Sequence, residues 1–269
     1  MTQGLLYDKL PRPDGDFVAY IHDDAASQAA GGEPVGVTWL GGFKSDMTGT
    51  KATAIADWAQ RTGRSCTRFD YFGHGASSGD FAEGTIGRWR DDALAVLDEI
   101  ASGAQVLVGS SMGGWIALLA ALARPEKIKG LVLIAPAPDF TETLMWARFP
   151  DDIRRALLRD KIYLQPSAYD EAPTPITLNL IEEGRRHLLL EQPIALSCPV
   201  RILQGMADPD VPWEHALRLV DTLTSSDVTC HLSKSGDHRL STPDDIAHLE
   251  ATLDALLGQI EREPVRQGS

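Results

Sequence analysis

Short apolar runs alternate with longer amphipathic stretches along most of this 269-residue chain. The apolar runs are rich in β-branched residues, as buried strands are, while the stretches between them repeat apolar residues at helical spacing. Such alternation predicts an α/β fold with a mostly parallel central sheet and helices on both faces. The predicted strands are Phe17–Ile21 (at an antiparallel edge), Val35–Leu40, Cys66–Asp70, Ala104–Val108, Ile128–Ile134, Val200–Gln204 and Val228–Leu232. The predicted helices are Thr50–Arg61, Thr85–Ile100, Gly114–Ala123, Glu214–Leu223 and Pro243–Ile260.

The pattern changes between residues 137 and 197, where no strand-like run is found and five prolines separate short helical patterns. We therefore predict one core domain, residues 1–136 and 198–269, interrupted by a helical insertion, residues 137–197. Apolar side chains such as Leu144 and Met145 favour a lid over the sheet, and the alternative is a helical subdomain that only packs. Residues 261–269 have the composition of a frayed tail.

Two Gly-x-Ser-x-Gly sequences occur in the chain, and their surroundings differ. Ser111 stands in the segment 109–113, directly between a predicted strand and a predicted helix. This is the setting of a nucleophile elbow, a tight turn that exposes a serine hydroxyl at the end of a sheet. Ser77, in the segment 75–79, has no strand directly before it and no helix directly after it. We predict Ser111 as a nucleophile and Ser77 as a loop residue.

A serine nucleophile needs a base, and the base needs an acid that orients it. In this architecture both partners follow the serine, on loops at the carboxyl ends of later strands. Of the seven histidines, only His238 lies between the last predicted strand and the final predicted helix, so it is the predicted base. The acid should follow Val200–Gln204, where both Asp208 and Asp210 stand. Asp208 is favoured because it comes directly off the strand end and Pro209 restrains it.

An acyl intermediate also requires hydrogen-bond donors for its oxyanion. The backbone N–H of Met112 heads the helix after the nucleophile and supplies one. The glycine-rich segment Gly41–Ser45 follows an early strand, and its glycines allow close backbone approach, so the Phe43 N–H is the predicted second donor. No metal-ligand spacing, phosphate-binding loop or dinucleotide fingerprint is found in the sequence, so we expect neither a metal nor a cofactor.

Composition limits the partners and the compartment. The net charge of −13 disfavours nucleic acid and anionic membrane surfaces. Cys66, Cys198 and Cys230 are too few for a disulfide framework, which favours buried thiols in a reducing compartment. The sequence has neither a secretory signal nor a run long enough to span a membrane. We expect a cytoplasmic protein that acts on a small-molecule or acylated substrate.

These motifs give the chain a resemblance to the α/β-hydrolase superfamily over nearly its whole length. Within it, the chain resembles the mitochondrial palmitoyl-protein thioesterase and acyl-glucuronide esterase family. Its matching segments are Thr48–Ala52, Arg68–Tyr71, Val108–Trp115, Ala123–Lys127, Val211–Trp213 and Asp237–Arg239, while Asp70–Ser77 is similar to a loop of the superfamily. The resemblance implies an α/β-hydrolase fold with Ser111, Asp208 and His238 at the nucleophile, acid and base positions. The insertion matches least, and no mitochondrial transit segment is found, which favours a bacterial cytosolic relative.

The predicted function is a serine hydrolase that cleaves carboxylic esters or thioesters through an acyl-enzyme. Trp115 and Trp213, near the predicted catalytic loops, favour a mostly hydrophobic acyl pocket. One alternative is a binding protein on the same fold without catalysis. Others are a C–C hydrolase, an aminopeptidase or a cofactor-free peroxidase with the same triad. An aminopeptidase would need an acidic group for the substrate amine, for which Glu182 and Glu183 are the candidates.

Overall fold

The structure, a computed structural model, describes residues 6–25, 34–166 and 172–262. Its strands are β1 (Asp8–Pro11), β2 (Phe17–Asp23), β3 (Gly36–Leu40), β4 (Cys66–Phe69), β5 (Gln105–Ser110), β6 (Ile128–Ile134), β7 (Ile162–Gln165), β8 (Thr174–Thr177), β9 (Val200–Gly205) and β10 (Val228–Ser233). Eight of them form one sheet in the order β1-β2-β4-β3-β5-β6-β9-β10. The sheet is antiparallel at β1, β2 and β4 and parallel from β4 to β10. The mostly parallel sheet with an antiparallel edge is therefore confirmed.

Helices cover both faces of this sheet, as the alternating pattern predicted. They are α1 (Thr50–Thr62), α2 (Ile86–Glu99), α3 (Met112–Ala123), α4 (Asp151–Asp160), α5 (Leu178–Gly184), α6 (Trp213–Thr222) and α7 (Pro243–Arg262). Val106 and Val108 of β5 face the core that contains α1 and α7, whereas Leu107 faces the core that contains α2, α3 and α6. Both faces of β5 are therefore buried, which explains its continuous apolar sequence.

The segment between β6 and β9 is not purely helical, and this part of the prediction is wrong. It contains a π-helical turn (Thr141–Trp146), α4 and α5, but β7 and β8 also pair in an antiparallel ribbon, with Tyr163 opposite Ile176. Pro175 lies within β8 and gave that run the pattern of a chain break. A two-stranded ribbon tolerates proline because each strand has an edge that needs no N–H donor.

Two further elements differ from the sequence pattern. The strand β1 was missed because Leu10 is its only buried residue, so it has no apolar run. The helix α7 continues to Arg262, so Glu261 belongs to the helix and not to a tail. The Glu261 carboxylate forms a bidentate ion pair with the Arg64 guanidinium, at 2.5 and 2.9 Å. Residues 263–269 lie outside the described residues.

Two carboxylates hold the segment after β6, one by bonds within it and one by a bond to α2. Asp139 accepts hydrogen bonds of 2.8 Å from the backbone N–H groups of Leu189 and Leu190, which closes the segment on itself. Glu183 on α5 accepts one of 3.0 Å from the N–H of Gly87, in the first turn of α2. Such N–H groups have no partner within the helix, so the carboxylate satisfies one of them. None of the helices in residues 6–25, 34–166 and 172–262 combines the length and apolar composition needed to cross a bilayer.

Candidate active site

Ser111 occupies a strained turn between β5 and α3. Its backbone has φ 54° and ψ −118°, a region that residues with a side chain rarely adopt. A Cβ atom at Gly113 would overlap the carbonyl oxygen of Leu40, and one at Gly109 would overlap the backbone of Gly113. Both positions therefore require glycine. The Ser111 N–H donates to the carbonyl of Ile134 over 2.9 Å, which holds the turn against the neighbouring strand.

Ser111, His238 and Asp208 form one hydrogen-bonded chain at the carboxyl edge of the sheet. The Nε2 atom of His238 lies 3.1 Å from the Ser111 Oγ, and its Nδ1 atom lies 2.7 Å from the Asp208 Oδ2. With the proton of a neutral imidazole on Nδ1, the ring donates to the carboxylate and accepts from the serine hydroxyl. The three residues come from loops after β5, β9 and β10.

Asp208 is held as a buried carboxylate. Its Oδ1 atom accepts hydrogen bonds from the backbone N–H groups of Asp210 and Val211, at 2.8 and 2.9 Å. Burial raises the pKa of Asp208, but the hydrogen bond from His238 and the two backbone N–H groups outweigh it and bring the pKa below its usual range. Asp210 is exposed and takes part through its backbone. The geometry therefore favours Asp208 over Asp210 as the partner of His238.

The two predicted oxyanion donors lie beside Ser111. Phe43 and Met112 line the same cavity as Ser111 and His238. The loop before Phe43 passes close to the serine, because a Cβ atom at Gly42 would lie 3.5 Å from the Ser111 Cβ. Neither the Phe43 N–H nor the Met112 N–H donates to another residue of the described part of the chain. Both groups are thus free to donate to a bound oxygen.

The cavity above Ser111 has a volume of about 590 Å³ and a lining of mixed chemistry. Its apolar lining residues include Phe43, Met112, Phe140, Leu144, Met145 and Val211, and its polar ones include Lys44, Lys51, Gln165, Thr174, Asp210 and Arg239. Polar side chains therefore share with apolar ones the lining that we predicted to be mostly hydrophobic. Trp115 and Trp213 are absent from the described lining, and Trp115 is fully buried beneath it.

Comparison with known proteins identifies the family. The family described as serine aminopeptidase, S33 matches residues 42–164. The human mitochondrial palmitoyl-protein thioesterase ABHD10 is 38% identical over 252 residues, which cover 93% of this chain and 80% of that protein. The chain belongs to the ABHD10 family of α/β hydrolases.

Solved structures agree with this family. A putative hydrolase from Agrobacterium vitis S4 is 42% identical, covers 94% of this chain and 98% of its own, and superposes with a TM-score of 0.88. The mouse α/β hydrolase domain-containing protein 10 is 37% identical over 95% of this chain and 100% of its own, with a TM-score of 0.86. The predicted resemblance and fold are confirmed, and the chain is a hydrolase.

One residue of this ABHD10-family site was missed by sequence reasoning. His74 precedes Ser111 in the chain, so the expected order of serine, acid and base gives it no catalytic role. The structure shows a buried imidazole whose Nε2 accepts from the backbone N–H of Lys44 over 3.1 Å and whose Nδ1 donates to the Phe72 carbonyl over 3.1 Å. Burial lowers the pKa of His74 to about 4, so the ring is neutral near pH 7. It supports the loop that carries Phe43.

Ser77, the second serine in a Gly-x-Ser-x-Gly sequence, is a loop residue, as predicted. Its hydroxyl accepts from the backbone N–H of Ala19 over 2.7 Å and donates to the Asp70 carbonyl over 2.5 Å. These bonds join the loop after β4 to the edge strand β2. No described histidine is hydrogen-bonded to this hydroxyl, and the bond from Ser77 to His74 joins backbone atoms, from the N–H to the carbonyl, over 3.0 Å.

The acidic residues proposed from the sequence to bind a substrate amine lie outside the described cavity of this ABHD10-family chain. Glu183 bonds to Gly87 and lies 2.6 Å from the His187 Nε2, and neither Glu182 nor Glu183 is part of the described cavity lining. Ligand atoms of Asp208, Asp210 and His238 lie within 4.8 Å of one another, close enough to hold a cation. The Asp208 oxygens already accept from His238 and from two backbone N–H groups, so we assign no cation to this group.

Proposed function

We propose that this hydrolase cleaves carboxylic esters or thioesters through an acyl-enzyme on Ser111. The observation that carries the proposal is the hydrogen-bonded chain from the Ser111 hydroxyl through His238 to the Asp208 carboxylate. A serine hydroxyl becomes a nucleophile when an imidazole takes its proton, and the imidazole needs a carboxylate to fix its tautomer and stabilise its charge. Three residues that are distant in sequence meet this requirement here.

The reaction then proceeds in two halves. His238 Nε2 takes the hydroxyl proton while the Ser111 Oγ attacks the acyl carbonyl carbon, and the carbonyl oxygen becomes an oxyanion. The intermediate collapses, the bond to the leaving alcohol or thiol breaks, and His238 returns its proton to that group. Water then loses a proton to His238 and attacks the acyl carbon, the bond from that carbon to the Ser111 Oγ breaks, and His238 returns the proton to the Oγ as the free acid leaves. Asp208 stabilises the imidazolium in both halves.

Backbone donors would stabilise the charge that develops in each half. We assign the oxyanion hole to the N–H groups of Phe43 and Met112, because they flank Ser111 and no described residue accepts from them. Fixed backbone donors require no reorganisation when the negative charge appears, and one such donor contributes about 10²–10³-fold in kcat. The second donor depends on the loop that His74 supports.

The cavity favours a substrate with an apolar acyl group. Relatives of this chain are named palmitoyl-protein thioesterases, and those proteins remove a fatty acyl group from protein. We propose an acylated substrate whose acyl group lies against Phe140, Leu144 and Met145. Because these side chains belong to residues 137–197, we also propose that this insertion acts as the lid. The volume of the cavity is within the range of small-molecule sites, roughly 300–1,000 Å³.

A cytoplasmic location stays a prediction, since the named relatives are mitochondrial.

A fluorophosphonate probe and a panel of esters test the function together. Wild-type protein should be labelled at Ser111 and should hydrolyse p-nitrophenyl esters and acyl thioesters of graded chain length. Ser111→Ala should lose both, whereas Ser77→Ala, a serine in the same short motif, should keep them. Labelling elsewhere, or full turnover by Ser111→Ala, would disprove the mechanism. An unlabelled and inactive wild type would favour the binding protein.

A further inference from the structure

Lys51 binds the loop that carries His238. It is the second residue of α1 and lines the same cavity as Ser111 and His238. Its Nζ donates to the carbonyl oxygen of Arg239, directly after His238, and to the hydroxyl of Ser241 over 3.3 Å. A single ammonium group therefore binds two residues of the loop that carries the imidazole.

The loop around His238 is also held by the bond from His238 to Asp208 and by the buried side chain of Leu240. Asp237 accepts from the backbone N–H groups of Arg239 and Leu240, at 3.0 Å each, but these bonds are within the loop. The carbonyl of Gly236 accepts from the N–H of Ala207 over 3.0 Å, which joins the loop to the side of Asp208. Lys51 adds an attachment from α1 to residues directly after His238.

The electrostatic setting of Lys51 indicates a functional rather than a stabilising role. Burial lowers the pKa of its ammonium group to about 8, while Asp237 and Asp245 oppose this effect and Arg239 adds to it. These charged groups come from the His238 loop and from α7. A lowered pKa means that folding disfavours the charged form, so this lysine costs stability below pH 8. Charged groups kept at such a cost in a cavity are typical of functional sites.

We propose that Lys51 is a positioning residue that holds the His238 loop, and with it the imidazole, in reach of Ser111. The proposal rests on the proposed function, because it assigns Lys51 a role in the same reaction. Charge-assisted hydrogen bonds are about twice as strong as neutral ones, so the protonated amine fixes the loop more firmly than the neutral amine. A displacement of about 1 Å at a reacting group lowers the rate by roughly a hundredfold.

The positioning role of Lys51 predicts that kcat depends on pH. As pH rises through about 8, Lys51 loses its proton and the bonds to Arg239 and Ser241 weaken. We expect kcat of the wild type to fall over this range. An arginine at the same position keeps its charge at every accessible pH, so Lys51→Arg should lack the fall.

The experiment compares Lys51→Met, Lys51→Arg and the control Lys127→Met. Lys127 also donates to a backbone carbonyl, that of Leu97, but is absent from the described cavity lining. At pH 7, Lys51→Met should lower kcat and the rate of fluorophosphonate labelling about tenfold or more, with little change in KM. Lys51→Arg should recover most of the rate, and Lys127→Met should equal the wild type. The urea midpoint of Lys51→Met should not fall.

Each other outcome has a defined meaning. A Lys51→Met rate equal to the wild type, or a lower rate matched by a lower urea midpoint, would overturn the positioning role. So would a defect that appears as higher KM only with carboxylate-bearing esters and not with neutral ones, because Lys51 would then bind the substrate. Should Lys51→Met not fold, the pH profiles of wild type and Lys51→Arg decide, and identical profiles overturn the proposal. An unlabelled wild type would instead contradict the proposed function.

Discussion

The imidazole Nε2 of His74 lies 3.1 Å from the backbone nitrogen of Lys44 and accepts its hydrogen bond. Lys44 directly follows Phe43, whose N–H we assign to the oxyanion hole. The histidine thus fixes the peptide next to the proposed donor, from a buried position among aromatic rings, with the centroid of Trp89 at 5.2 Å. Its contribution to the reaction is made through the loop and not by contact with substrate.

Replacing His74 by Phe should slow turnover more than it weakens binding. Phenylalanine keeps the aromatic packing but removes the acceptor for Lys44 and the donor for Phe72. We expect kcat to fall about tenfold, less than the 10²–10³-fold loss of an entire oxyanion donor, with a smaller change in KM. His22→Phe is the matched control, because His22 bonds to Thr67 at the antiparallel edge. Equal kcat values for the two variants would contradict the assignment.

The same histidine should make stability depend on pH between about 6.5 and 4. Its pKa is about 4 in the folded chain and 6.5 in the unfolded chain, so the unfolded state binds more protons in this range. The stabilisation is complete above pH 6.5 and is lost as the pH falls towards 4. Urea unfolding should show that the wild type loses roughly 2–3 kcal/mol more than His74→Phe over this interval. Parallel stability curves for the two proteins would refute the neutral, buried imidazole.

Replacing each of the two aspartates after β9 by asparagine should separate their roles. Asp208→Asn removes the charge that accepts from His238, and in other triads this change lowers kcat by about 10⁴-fold. Asp210→Asn should stay within a few-fold of the wild type, because Asp210 contributes its backbone N–H to Asp208. Steady-state hydrolysis of one p-nitrophenyl ester is sufficient for the comparison. The assignment fails if the Asp210 variant shows the larger loss.

Substitution in the segment after β6 should change the preference for acyl groups. Leu144 lines the cavity, so Leu144→Ala enlarges the cavity on an apolar part of its lining and should favour bulkier acyl chains. A change of a few methylene groups in such a pocket alters kcat/KM ratios by about tenfold or more. Leu158→Ala is the control, since Leu158 lies on α4 with 51% of its surface exposed. A graded acyl-ester series measures both variants, and unchanged ratios for Leu144→Ala would argue against the lid.

Local pattern was most informative where one physical requirement determines several neighbouring residues. The sharp turn at Ser111 needs glycines at 109 and 113, and a buried parallel strand needs the apolar run before it. Asp208 and His238 could be assigned to the same edge of the sheet as Ser111, because parallel strands bring their carboxyl ends to one edge. The ribbon β7–β8 was missed, since its exposed residues and Pro175 resemble a loop.

Periodicity along the chain was therefore sufficient to predict helical layers around a mostly parallel sheet, most strands of that sheet and the loops that carry Ser111, Asp208 and His238, because burial imposes a regular spacing on residues that are close in the chain. The polar groups that support those loops became apparent only in the folded arrangement. His74 meets Lys44 across 30 positions, and Lys51 meets Ser241 across 190. Bonds of this kind depend on where separate elements meet after folding, and no local periodicity records that position.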